Sequence, residues 1–491
     1  MKNRFNTYTT GRFQLKRFYF SLMVLVFGLT ACKKELEEHP KSIAVETFYN
    51  TATEVETAVN AIYTPLRSTN IMGSYLSELE PYVDYGDARG SFAVLNDFQG
   101  LNATHISRTD QAWSSFYLSI RNANLVIANA PNGKDISQAD VKKYIAEAKF
   151  LRAFDYFHLV RSWGGVPIHT ETNLKEVDVK KSTPEEVYSL IVADLLEAET
   201  NMSDKPAQLG RPSKWAAKTL LADVYLQLKK YAEARDKSDE VIKANKYALV
   251  PVATVDDWQK IFGADAGVTK EEIFYIEFMR QSGYGSIWPM YLNHPGTKLL
   301  RQGGYYGFHS YTTNLVYQNQ DNNDLRKGLW YLWNIGMGPN TTLNKKFIDQ
   351  IATNGAGNPA TWYRYADLLL IYAEAASQAN GGPTAEAMEA LNQVHRRAYG
   401  QNPTQPSGVD FKLADYDADS FLDLVIRERG YEFVYEGKRW LTLKRTGKAQ
   451  EIIGAVKGKT IAEKCYLFPI PASEFNFNKA LDPTKDQNPG Y

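Results

Sequence analysis

The chain has 491 residues, with 56 Lys plus Arg balanced by 56 Asp plus Glu. A chain of that length buries a substantial core, and the balance excludes the basic face that a nucleic-acid partner requires. Two Cys exclude cysteine-type zinc and iron–sulfur centres, and the seven His form no His-x-x-x-His or His-Glu-x-x-His pattern, so neither metal nor cofactor is expected.

The first 32 residues carry Lys2, Arg4, Arg12, Lys16 and Arg17 and no acid. The apolar run Phe18 to Ala31 is short for a membrane span and has the length of a signal-peptide core. It closes on Leu29-Thr30-Ala31-Cys32, which resembles the bacterial lipobox. That resemblance implies cleavage before Cys32 and acylation of Cys32, with two or more acyl chains giving a stable anchor in the membrane lipid. Residues 1–31 are then a signal peptide, 32–42 a charged, Pro-containing tether and 43–491 a single domain. The Lys and acid cluster behind Cys32 also resembles the surface-export signal of Bacteroidota lipoproteins. Loss of the signal removes five basic residues, leaving 51 against 56 acids. With Cys32 lipidated, Cys465 lacks a disulfide partner, and its apolar setting (Cys465-Tyr466-Leu467-Phe468) predicts a buried free thiol.

Helical signals dominate from there. Apolar residues at helical spacing predict helices over 53–67, behind a Thr cap, and over 111–130. Residues 141–163 are apolar nearly all round, which predicts a buried central helix stopped by Gly164-Gly165. Thr183-Pro184-Glu185-Glu186 supplies the cap, first-turn Pro and first-turn acids of a helix reaching about Met202. Residues 212–228 and 231–245 form a pair, with Ala216, Leu220, Leu221, Tyr225, Tyr231 and Ala234 placed roughly as in a tetratricopeptide unit. Later helices are predicted over 364–380, 384–399 and 420–436. The fold class is therefore mainly α: a helical part at 43–250, a loop-rich insert at 250–360 and a second helical part at 361–491. The insert is rich in Gly, Asn, Tyr and Trp, and loops of that length usually carry function. Within it Glu272 to Phe278 alternates like a strand, and Trp330, Tyr331 and Trp333 look strand-like and core-directed. Residues 472–491 read as an extended surface strap.

Nine segments then stand in one order. They are Ile120-Arg121-Asn122-Ala123-Asn124; residues 146–168; 211–225; Glu272-Ile273-Phe274; Asp324-Leu325-Arg326-Lys327; 364–376; 391–398; 427–445; and Leu467-Phe468-Pro469-Ile470-Pro471 with Gln487-Asn488-Pro489-Gly490-Tyr491 behind it. Together, behind a lipobox, they resemble the SusD/RagB family of outer-membrane lipoproteins. Asn323, where the family often has Pro, and His395, where Arg is common, are mild departures. The resemblance implies a lipid-anchored protein on the outer face of the outer membrane. It would bind a nutrient, an oligosaccharide before a peptide, and deliver it to a SusC-type TonB-dependent transporter. The alternatives are a peptide-binding member of the same system and a helical-repeat protein-interaction scaffold.

No catalytic residue is expected. Glu428, Glu432 and Glu436 would share one helix face, the arrangement a glycosidase carboxylate pair could use. Arg427, Arg429, Arg439 and Arg445 surround them, however, and predict a structural ion-pair network. Arg152, Asp155 and Arg161 are read as internal pairs, and His158 and His169 as satisfied by backbone. The functional signal is aromatic: Gly283 to Tyr311 holds Tyr284, Trp288, Tyr291, His294, Tyr305, Tyr306, Phe308 and Tyr311. Flat rings cover the apolar face of a sugar, and a few polar groups take its hydroxyls. The candidate ligand set is Tyr284, Trp288, Tyr291, Asn293, Arg301, Tyr305 and Tyr306, joined by Tyr82, Asp84 and Arg89 from the loop at 75–98.

Overall fold

Helix α1 (Ala52–Leu66) begins at a capping box, in which Thr51 accepts from the Glu54 amide and the Glu54 carboxylate accepts from the Thr51 amide. The computed structural model describes residues 48–266 and 269–491; the signal segment, the tether and Cys32 lie outside them. Helix α2 (Ala103–Asn129) starts well before its expected position, because Asn102 caps it by accepting from the His105 amide. Helix α3 (Gln138–Trp163) is buried on every side, including Phe150, Phe154, Phe157 and Trp163, and Gly164 ends it at a φ of 75°. Each such side chain contributes about 1.5–3 kcal/mol through burial.

Helices α4 (Pro184–Asn201), α5 (Lys214–Gln227) and α6 (Tyr231–Lys243) follow. After the insert come α7 (Tyr365–Asn380), α8 (Ala385–Ala398), α9 (Ala418–Glu432), α10 (Arg439–Thr446) and α11 (Ala449–Lys457). From α1 to α8 each of these helices packs on the next, so α6 meets α7 across the whole insert. This is the nearest-neighbour stacking of tetratricopeptide-like arrays. The fold is 55% helix and 7% strand, and Tyr49–Tyr491 form one compact unit. Helix α9 stops at Glu432, so Glu436 is not on the helix that carries Glu428.

Strands β1 (Asp87–Ala88), β3 (Phe308–Tyr311), β5 (Thr341–Asn344) and β4 (Trp330–Leu332) pair antiparallel in that order. Strand β2 (Glu272–Ile276) pairs with β6 (Ala360–Arg364) and is shorter than expected because its partner begins at Ala360, opposite Ile276 and directly after Pro359, which has no N–H to donate. The β1–β3 pairing sets Asp87 opposite His309 and Ala88 opposite Phe308. It thereby brings the loop after β1 against the aromatic stretch of the insert. Segment 472–491 is no simple strap. It forms short helices at Ala472–Phe477 and Pro483–Asp486, and its Asn478 and Asn488 are buried. Cys465 is a buried free thiol, with its pKa raised by burial.

Candidate functional site

Close backbone crossings hold the aromatic loop in place. Gly285 crosses Gly355 so tightly that a Cβ on either would overlap the other's backbone, and Ser286 and Ala356 exchange backbone hydrogen bonds of 2.7 and 3.2 Å beside it. The short helix Trp288–Leu292 follows, with Pro289 in its first turn. The Asn293 side-chain amide donates to the Pro289 and Phe347 carbonyls, both at 2.8 Å, and so ties the helix end to the chain after β5. Gly304 then lies against the Asn293 carbonyl, where any Cβ would fall far inside van der Waals contact. Only this approach lets the Tyr305 amide donate to the Met290 carbonyl at 2.5 Å. The two tyrosines leave the turn from a backbone set by that contact, Tyr306 at a φ of 40°.

What results is two groups of rings joined through Arg89. Tyr305 is 53% exposed and meets the half-buried Tyr291 edge-on at 5.6 Å. Tyr306 lies 4.4 Å from His294, which lies 5.6 Å from Trp333. The Arg89 guanidinium sits over the Tyr306 ring at 4.0 Å and donates through Nη1 to the Tyr305 carbonyl at 3.3 Å. The Arg89 amide donates to the Gly307 carbonyl at 2.8 Å, continuing the β1–β3 contact. Beneath lies Phe92, 5.9 Å from Tyr291 and 5.3 Å from Phe308, with the Arg108 guanidinium 4.0 Å from its ring. Burial, with Arg89 adding to it, lowers the His294 pKa, so the imidazole is neutral at pH 7. Its Nδ1 accepts from the Gly296 amide at 2.9 Å, leaving the proton on Nε2. The surface thus offers flat rings beside a fixed guanidinium and a neutral donor.

Of the ten candidates, Arg89, Tyr291, Tyr305 and Tyr306 come together here. Arg301 is exposed on the same loop, and Tyr284, 48% exposed, stands apart under Arg67 at 5.4 Å. Four are corrected, because the fold encloses them. Tyr82 packs on Phe98 and Trp440; Asp84 receives Arg439 at 2.8 and 2.5 Å; Trp288 donates to the Tyr435 carbonyl at 2.9 Å; Asn293 holds the turn. His294 and Trp333 belong to the surface but were not in the candidate set. His294 lies within the aromatic stretch itself. Trp333 follows a strand reading that pointed inward, whereas β4 ends at Leu332 and releases it.

The acidic triad is a buried ion cluster, but its partners differ from those expected. Glu432 receives Arg364 and Arg397, both at 2.5 Å, and Arg326 at 3.1 Å. Glu428 receives Arg326 at 2.6 Å, and Glu436 receives Lys346 at 2.5 Å and Arg364 at 2.9 Å. Burial alone would raise these carboxyls. The facing cations outweigh it, bringing Glu428 and Glu436 down to about 2 and Glu432 lower still. Arg439 serves Asp84 and Arg445 serves Glu374, while Arg429 meets Thr442 and Arg427 lies exposed near Phe411. On α3, Arg152 pairs with Asp194 at 2.8 Å and not with Asp155, whose carboxyl burial holds well above its usual range. Arg161 faces Asp223 at 3.6 Å, and His158 meets the Tyr75 hydroxyl at 3.1 Å rather than backbone. Among the described residues no group of three His, Cys, Asp or Glu could hold a metal ion.

The described residues thus form stacked helix pairs that carry an aromatic, loop-built face. The SusD family model matches residues 284–491, and a second SusD-like model, described as starch-binding associating with outer membrane, matches 34–226. SusD-like protein P2 of Formosa agariphila is 29% identical across 97% of this chain and 100% of its own length. The crystal structure of a SusD homolog from Bacteroides thetaiotaomicron superposes with a TM-score of 0.78 at 25% identity, covering 91% of this chain and 98% of that one. Surface glycan-binding protein A from Bacteroides fluxus shares the fold, with a TM-score of 0.72 at 23% identity over 90% and 100% of the two chains. The chain belongs to the SusD/RagB family.

Proposed function

We propose that this protein is a surface lipoprotein, anchored through Cys32 in the outer membrane, that captures an oligosaccharide and passes it to a SusC-type TonB-dependent transporter. The observation that carries the binding step is the aromatic face of Tyr291, His294, Tyr305, Tyr306 and Trp333, with Arg89 fixed beside it. A pyranose ring presents axial C–H groups that pack on such rings, and its hydroxyls accept from Arg89 and His294 Nε2. The matching family model is described as starch-binding and the Bacteroides fluxus protein as glycan-binding, which supports the same ligand class. Hydrolysis has no part in the reading, since the carboxylates are buried and held by cations.

Calorimetry of residues 33–491 against a glycan panel tests it. We expect binding to at least one oligosaccharide with no products formed. Tyr305→Ala should weaken that binding about tenfold, as loss of an exposed aromatic anchor does, and leave the melting temperature unchanged. Binding of a peptide library and of no glycan would refute the sugar assignment. Co-purification of the full-length protein with a TonB-dependent barrel, lost for Cys32→Ala, tests the anchoring and the partnership.

A further inference from the structure

We infer that the aromatic face selects an anionic oligosaccharide, one bearing carboxylate or sulfate groups, and that Arg89 and Arg301 read its charge; this rests on the glycan assignment above. Arg89 is half-buried, with its guanidinium carbon 4.0 Å from the centre of the Tyr306 ring and Nη1 donating to the Tyr305 carbonyl at 3.3 Å. Among the described residues it makes no ion pair, although carboxylates lie on the neighbouring segments. Each of those has another cation: Asp87 takes Lys457 at 2.9 Å, Asp97 takes Lys459 at 3.0 Å, and Asp349 takes Arg280 at 2.8 Å. The buried Glu78 takes His105 at 2.9 Å and Arg108 at 3.4 Å. Lys298 and Arg301, exposed on the loop between His294 and Tyr305, likewise make no ion pair among the described residues. Arg89 on the face, and Lys298 and Arg301 on that loop, are therefore cations whose neighbouring acids are held by other bases, on a chain with no overall excess of bases.

A stacked guanidinium presents its N–H edge in the ring plane, and that edge matches carboxylate and sulfate oxygens better than a single hydroxyl. Because Tyr306 and the Tyr305 carbonyl already hold Arg89, little rotamer freedom is left to lose on binding.

The test is calorimetry of residues 33–491 with neutral, uronate-bearing and sulfated oligosaccharides of equal length, at low salt and at about 0.3 M, where exposed charges are screened beyond roughly 6 Å. We expect an anionic series to bind about tenfold or more tighter than the neutral one and to weaken with salt. The uronate and sulfate arms separate the two sources of charge. Arg89→Gln and the exposed Arg301→Gln should each weaken the anionic series several-fold more than the neutral one, removing most of that preference. Arg301→Gln keeps the test valid should Arg89→Gln disturb the loop. Equal or tighter binding of the neutral series, or affinity indifferent to salt, would overturn the inference and leave the glycan assignment standing. Failure of every oligosaccharide would overturn that assignment, and the inference with it.

Discussion

Glu432 is enclosed, yet three guanidinium groups reach it from β6, α8 and the Asp324–Lys327 turn. Removing one member of such a cluster strands the others in a low-dielectric interior, which costs about 3–5 kcal/mol. Glu432→Gln should therefore lower the denaturant midpoint sharply, with the slope unchanged, as read by urea unfolding. If the carboxylate served catalysis, the variant would instead keep its stability and lose a hydrolytic activity. That the triad is structural was legible, because arginines crowd the same stretch. Its partners were not, because Arg364 and Arg326 lie 68 and 106 residues away in sequence, where local spacing carries no information. Asp84 and Asn293 were misread for a related reason: a polar side chain in a loop looks like a ligand contact until the fold supplies Arg439 or a pair of carbonyls.

At the scale of elements, helix positions followed from periodicity and caps, and α3 was recognisable because no polar face interrupts it. Boundaries moved where side chains set them, as at Asn102 before α2. The insert gave composition but no geometry, since contacts such as Gly304 on the Asn293 carbonyl join segments that no period links. That contact yields a sharp expectation. Gly304→Ala cannot keep the Tyr305 amide on the Met290 carbonyl, so the loop must shift, at a cost of about 1–3 kcal/mol. Far-ultraviolet circular dichroism should be unchanged, because the helical array lies elsewhere, while ligand affinity falls at least as far as in Tyr305→Ala. Unaltered affinity in a folded Gly304→Ala protein would show that the turn does not position the rings.

For the whole molecule, the ion cluster joins the insert to both helices of the α8–α9 region and to β6, so its protonation is a global event. Glu428 and Glu436 have folded pKa values of about 2, against 4.5 when unfolded. A lowered folded value means that the unfolded chain binds protons first. The stability they contribute is complete above about pH 4.5 and is lost as the pH falls toward 2. Thermal scans from pH 7 to pH 2.5 should show a melting temperature that drops mainly below pH 4.5, in a single transition. A flat profile across that range would mean that the carboxylates are not held by the arginines. Elsewhere, Cys465 should resist thiol reagents in the folded state and react on unfolding, because burial both hides it and raises its pKa.

Segment 463–491 closes against elements far from it in sequence. Asn488 donates to the Trp163 carbonyl at 2.7 Å and the Phe468 carbonyl at 2.6 Å, Trp163 Nε1 donates to the Pro469 carbonyl at 3.0 Å, and the Tyr491 hydroxyl accepts from the Leu101 amide at 3.0 Å. The C-terminal end of α3 is thus completed by residues more than 300 positions downstream. Such closure raises contact order and slows folding. It also sets an order of events: the array can collapse first, but it cannot latch until this clasp arrives. A chain so arranged stays unlatched for as long as that segment is held back.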